Sequence, residues 1–219
     1  MTADGTDPIY TSGDRRTADS THEHEAFYDF FVDFIQGGLA QFVLLSAPML
    51  WVVAQTPTYT VEIATAAVVS ILLVSFLITL FRGGHVSVGR PWPVLTNERL
   101  GTGTGWQAFL TRSAYLSCTL GLTTYGGVLA QVASGSFVWN AVVAVLLSVA
   151  AVVSLPYLSG DSTRMRIARL GYYVLGLVPA AAVLLFASEF LDPSAAFALL
   201  LVYTLAALDS RPLLEAVRG

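Results

Sequence analysis

The chain has 219 residues, of which 55% are hydrophobic and only 12% charged, and its mean hydropathy is +0.67. It is far more apolar than an ordinary soluble domain, and its formal net charge is −4. A single cysteine, Cys118, excludes an internal disulfide and a thiolate metal cluster.

Residues 1–25 are polar and acidic and contain no apolar run of signal-peptide type. They bury too little to offset the entropy of ordering, so a disordered cytoplasmic tail is expected. All 11 basic residues are arginine. With an isoelectric point near 5.2, this usage resembles that of proteins from extremely halophilic archaea. The lack of lysine also excludes a retinal Schiff base.

The next stretch, EAFYDFFVDFIQ, places Phe27, Phe30, Phe31 and Phe34 on one helical side and Asp29, Asp33 and Gln36 towards another. An amphipathic helix over 26–36 is predicted to lie in the membrane interface, or to dock a protein partner. Gly37 and Gly38 would permit the bend into the bilayer.

Six apolar runs follow, at about 37–55, 61–81, 106–132, 137–158, 170–188 and 193–208. Each approaches the roughly 20 residues that cross a hydrocarbon core. The expected fold is therefore all-α: a single polytopic domain over 26–219, built as a six-transmembrane-helix bundle with the interfacial helix at its start. Arginines occur before the first run, between the second and third, between the fourth and fifth, and after the sixth. That alternation predicts a multi-pass cell-membrane protein with both termini cytoplasmic.

The first and fifth runs carry Pro48 and Pro179 about ten residues in. Proline removes an intrahelical bond, so both helices are predicted to kink there. Broken helices in corresponding positions point towards a transporter site.

The segment from Arg82 to Trp106 is predicted to be a cytoplasmic loop. Its Arg82, Arg90 and Arg99, together with Arg164, Arg166 and Arg169 of the next arginine-bearing loop, would form a basic rim that attracts anionic lipid headgroups. The backbone from Thr102 to Gly105 has the composition of an anion nest, but it lacks the Gly-Lys-Ser/Thr ending of a phosphate loop. His85 reads as a solvated loop residue.

The third run sorts by angle. Arg112, Tyr115, Thr119 and Thr123 form one stripe, with Ser113, Ser117 and Thr124 beside it. Small and hydroxylated faces are where helices approach closely in lipid, which predicts a central position for this helix and an intrabundle polar face. Arg112 either reaches back to the interface or points inward, and Asp209 is the acid at matching depth.

No nucleophile and base, paired carboxylate motif or metal-ligand set can be assembled. Asp29-x-x-x-Asp33 has the spacing of one prenyltransferase motif without a second, and Ala133-Ser134-Gly135-Ser136 looks like a rhomboid serine motif without a following histidine. Cys118 followed by Arg164 and Arg166 matches the residue order of archaeosortases, but with the arginines on the cytoplasmic side. The expected function is therefore non-enzymatic and without cofactor: a small permease-like protein, or a non-catalytic accessory subunit of a membrane complex. Membrane lipids are the expected partners, and nucleic acid is not among them.

Overall fold

In a computed structural model, the described residues are 27–57, 59–86, 89, 100, 105–187 and 192–218, with the side chains of 184–187 and 211–218 excepted. The tail over 1–25 and the arginines Arg90 and Arg99 lie outside them. Among the described residues the fold is all-helical: α1 (Phe27–Leu45), α2 (Ala47–Ala54), α3 (Thr60–Arg82), α4 (Trp106–Ser134), α5 (Phe137–Leu158), α6 (Thr163–Ala187) and α7 (Pro193–Arg218).

Four of these, α3, α5, α6 and α7, are long and apolar enough to cross a membrane; α1 and α2 together make a fifth candidate if the bent pair is one span. Helix α4 is long enough, at 29 residues, but its hydroxyls and glycines keep it off that count. Its surroundings explain why it need not be apolar. It packs against each of the other six helices, and Ser113, Ser117, Thr119, Thr123 and Thr124 are all buried. The outward surface is the reverse, with Leu44, Val61, Leu146, Leu175, Phe197 and Leu200 exposed. An apolar exterior around a hydroxyl-rich interior is the build of a membrane protein.

The chain does not bend at Gly37-Gly38, as the glycines suggested. Residues Asp33–Leu39 form a π-helical stretch inside a continuous α1, and the turn of 66° comes between Leu45 and Ala47. Ser46 leaves helical geometry there (φ −93°, ψ 7°), two residues before Pro48. Proline at position 48 has no N–H to offer the previous turn. The carbonyl of Leu45, at the bend, accepts the Ser113 hydroxyl of α4 at 2.7 Å. Pro179 differs: α6 runs without interruption from Thr163 to Ala187 with the proline inside it.

What the glycine pair does instead is admit α3. A methyl group on Gly38 would meet the Thr79 Oγ1 at 2.6 Å and the Ser75 carbonyl oxygen at 2.8 Å. The aromatic side of α1 follows the same contact. Phe30 and Phe34 stand edge-on to Phe76 of α3, at 5.8 and 6.4 Å between ring centres, and Phe30 also meets His85. Only part of the predicted amphipathic face, Phe27 and Phe31, remains exposed.

The helices alternate in direction, so the bundle has two distinct ends. At one, Gln131 of α4 donates to the Glu62 carboxylate of α3, and Asn140 of α5 donates to the Glu62 carbonyl. Asp192 caps α7 nearby in sequence by accepting from the Ser194 N–H and hydroxyl, which hold its carboxyl below the usual carboxylate range. Trp51 of α2 donates to the same Ser194 hydroxyl. The opposite end gathers Arg82, Arg112, Arg169 and Asp209.

Midway along the bundle, α4 and α6 cross at minimal separation. A methyl group on Gly176 would lie 2.6 Å from the Cys118 carbonyl oxygen and 2.9 Å from its Cα, both fixed backbone atoms. Gly171, on the same helix, has open space around it. Gly176→Ala is therefore expected to destabilise the bundle by about 1–3 kcal/mol through overpacking, whereas Gly171→Ala gains helix propensity and keeps or raises stability. Thermal unfolding of both variants in detergent measures the difference. Equal midpoints would contradict the close crossing.

Candidate functional site

Two arrangements at the arginine-bearing end carry charge into the bundle. The first is a closed cluster. Arg169 of α6 and Asp209 of α7 form an ion pair at 3.2 Å, with side chains only 1% and 2% exposed. The two Asp209 oxygens have separate partners: the Tyr173 hydroxyl donates to Oδ2 at 2.9 Å, and the Thr111 hydroxyl reaches Oδ1 at 2.5 Å. Arg169 Nη1 donates to the carbonyls of Leu158 and Gly160, at the end of α5 and in the turn after it. One cluster thus ties together α4, α5, α6 and α7.

Local sequence accounts for these positions. Arg169 and Tyr173 are four residues apart and so share one face of α6, while Thr111 sits one turn inside α4. A buried ion pair offsets its desolvation only when the remaining polar atoms are also satisfied; the two hydroxyls satisfy Asp209 and the two carbonyls satisfy Arg169 Nη1, while Arg169 Nη2 has no hydrogen-bond partner among the described residues.

The second arrangement is an open cleft. Its walls come from Gly37, Gly38, Gln41, Phe42 and Leu45 of α1, Ile78 and Arg82 of α3, Arg112 and Leu116 of α4, and Leu155 of α5, with Leu100 beside them. It is a narrow slot rather than a chamber. Arg82 Nη1 donates to the Gly37 carbonyl at 2.9 Å, which the absence of a side chain on Gly37 allows. Arg112 Nε donates to the Ala108 carbonyl at 3.2 Å. Arg82 and Arg112 thus come from different helices to one cleft.

The cleft and the ion-pair cluster are held apart by the polar interior of α4. Tyr115 stacks on Tyr172 of α6, with ring centres 5.0 Å apart, and donates its hydroxyl to the Ala151 carbonyl of α5. Thr119 and the Tyr172 hydroxyl share a bond of 2.6 Å. Thr123 turns back onto its own helix, to the Thr119 carbonyl. The stripe from Arg112 to Thr123 therefore lies inside the bundle, but beyond Arg112 it is filled with interhelical contacts.

Over half of the chain, residues 28–162, matches a domain of unknown function, DUF8215. The chain belongs to this family. The matched stretch includes every cleft-lining residue but stops before Arg169, Tyr173 and Asp209. No curated protein and no solved structure matches the chain.

The predicted rim divides in the structure. Arg164 is exposed, Arg166 pairs with Asp161 at 3.7 Å, Arg82 turns into the cleft, and Arg90 and Arg99 lie outside the described residues. Arg169 is withdrawn from it altogether, because its guanidinium is buried against Asp209. Asp209, the acid at a depth matching Arg112, has its two oxygens engaged by Arg169, Tyr173 and Thr111. The i, i+4 spacing of Arg169 and Tyr173 was the available signal. Nothing local marked Leu116 and Leu155 as cleft walls. Among the described residues, no group of histidine, cysteine or acidic side chains could hold a metal ion.

Removing one member of the buried pair leaves the other charge uncompensated, at a cost of about 3–5 kcal/mol. Asp209→Leu and Arg169→Met are each expected to be strongly destabilising. The double variant Arg169→Met with Asp209→Leu should lose much less than the sum. A double-mutant cycle from unfolding in detergent reads the coupling directly, and additive losses would mean that the pair does not act as a unit.

Proposed function

We propose that this chain is a small permease-like membrane protein whose inner vestibule is the cleft between α1, α3, α4 and α5. The observation that carries this reading is the break in the first helix. The 66° turn lies at Leu45 and Ser46, and Leu45 is itself a wall of the cleft. A discontinuous helix beside a charged recess supplies a joint about which one helical half can move, with its displaced carbonyl held by a serine of the central helix.

The topology belonging to this proposal has six spans, with α1 and α2 forming one, and α4 crossing despite its lower hydropathy because its neighbours shield it. The arginine-bearing end and both termini lie in the cytoplasm by the charge rule, and the first turns of α1 rest in the interface. A second reading, a non-catalytic accessory subunit, is favoured by the filled centre of the bundle, where Met49, Leu120 and Tyr125 are fully buried.

A transport cycle must expose the cleft to both sides of the membrane in turn. In a Cys118→Ala background, Leu45→Cys is expected to react with a membrane-impermeant thiol reagent from the cytoplasmic side and, more slowly, from the outside. Labelling of inside-out and right-side-out vesicles makes the comparison. Reaction from the cytoplasmic side alone would favour the accessory reading; reaction from the outside alone would overturn the proposed orientation.

A further inference from the structure

We propose that Glu62, Gln131 and Asn140 hold a hard monovalent cation, with the properties of sodium, at the end of the bundle opposite the arginines. The site is separate from the cleft and does not depend on the permease reading.

The three residues converge from three helices. Asn140, in the first turn of α5, donates its Nδ2 to the Glu62 carbonyl at 2.9 Å, and Gln131 of α4 donates its Nε2 to the Glu62 carboxylate at 3.2 Å. Those bonds fix which way each amide faces, because turning either one over would set an amide oxygen against another oxygen. Both amide oxygens, Gln131 Oε1 and Asn140 Oδ1, are consequently buried without a hydrogen-bond partner among the described residues, and Asn140 as a whole is 0% exposed. Asn140 Oδ1 lies against Gly127 of α4, where a methyl group would collide with it. Gly127 is one turn from Gln131, so the two oxygens flank a single turn of α4. One turn further in on the same face, the Thr124 hydroxyl is also buried and has no partner among the described residues.

The chemistry of these atoms names the ligand class. Glu62 is half-buried and forms no ion pair among the described residues, so the group consists of one carboxylate and two amide oxygens, all of them acceptors. Buried acceptors are seldom left unmatched. Hard cations take oxygen ligands of this kind, and one carboxylate balances one positive charge. Among the described residues no group of three acidic, histidine or cysteine side chains forms, which argues against a divalent ion. A cation held there joins α3, α4 and α5 at one end of the bundle, as the pair of Arg169 and Asp209 joins α6 to α7 at the other.

Thermal unfolding of the purified full-length protein in detergent, with sodium chloride exchanged for choline chloride at constant ionic strength, tests the site. Above the dissociation constant each tenfold rise in sodium should raise the midpoint by about 3–5 °C, as expected for one bound ion in a chain of this size. Glu62→Gln keeps the shape and removes the charge, so most of that increment should disappear, and Glu62→Asp should retain part of it. An increment as large in Glu62→Gln as in the unaltered protein would overturn the site. Equal midpoints in sodium and choline would mean that water satisfies the oxygens and would overturn the cation. Calcium acting at a hundredfold lower concentration than sodium would overturn the monovalent assignment. Should Glu62→Gln fail to unfold cooperatively, equilibrium binding of radioactive sodium is compared between the unaltered protein and Gln131→Met: saturation near one ion per chain that weakens in the variant supports the site, and binding that is absent or unchanged refutes it.

Discussion

In hydrocarbon a polar side chain must find its partner within the protein, and α4 carries more such groups than any lipid-facing helix could tolerate. Its position follows from that constraint. Ser113 reaches the bend of the first helix, Tyr115 the backbone of α5, Thr119 a tyrosine of α6 and Thr111 the carboxylate of α7. Each neighbour is bound to α4 at a different level, so the central helix sets both the order of the helices around it and their depth. Individual interhelical hydrogen bonds of this kind contribute only about 0.6 kcal/mol on average. Their value lies in specifying one arrangement among many apolar surfaces that would pack about equally well.

Close approach is the complementary condition. Hydroxyl groups of short reach bridge two helices only if the backbones are near, and Gly38, Gly121, Gly127 and Gly176 each stand where another helix leaves no room for a methyl group. The crossing of α4 with α6 is the tightest, because both sides of the contact are backbone. Cys118 is accordingly buried by geometry, and its position against Gly176 gives it a packing role.

Much of this was legible from residue order alone. Apolar runs bounded by glycine, proline and arginine located the helices, since those residues act locally, and the hydroxyl stripe of α4 marked it as interior. What escaped was governed by partners far away in sequence. Gly37-Gly38 has the composition of a hinge, yet the close approach of α3 turns it into a contact, and the bend moves to Ser46, where Pro48 weakens the helix and a serine from α4 is at hand. Arg169 has the composition of an interfacial anchor until α7 brings Asp209 beside it. In both cases the local propensity was real and a tertiary contact decided between its possible outcomes.

The same end of the bundle therefore handles its arginines in two opposite ways. Arg169 is neutralised within the chain: it pairs with the Asp209 carboxylate, which two hydroxyls hold in place, and its Nη1 donates to two carbonyls. Arg82 and Arg112 instead line an open cleft, where they donate to the Gly37 and Ala108 carbonyls. The open cleft also lies beside the break in the first helix, which is why it, and not the more densely bonded cluster, is where function is sought.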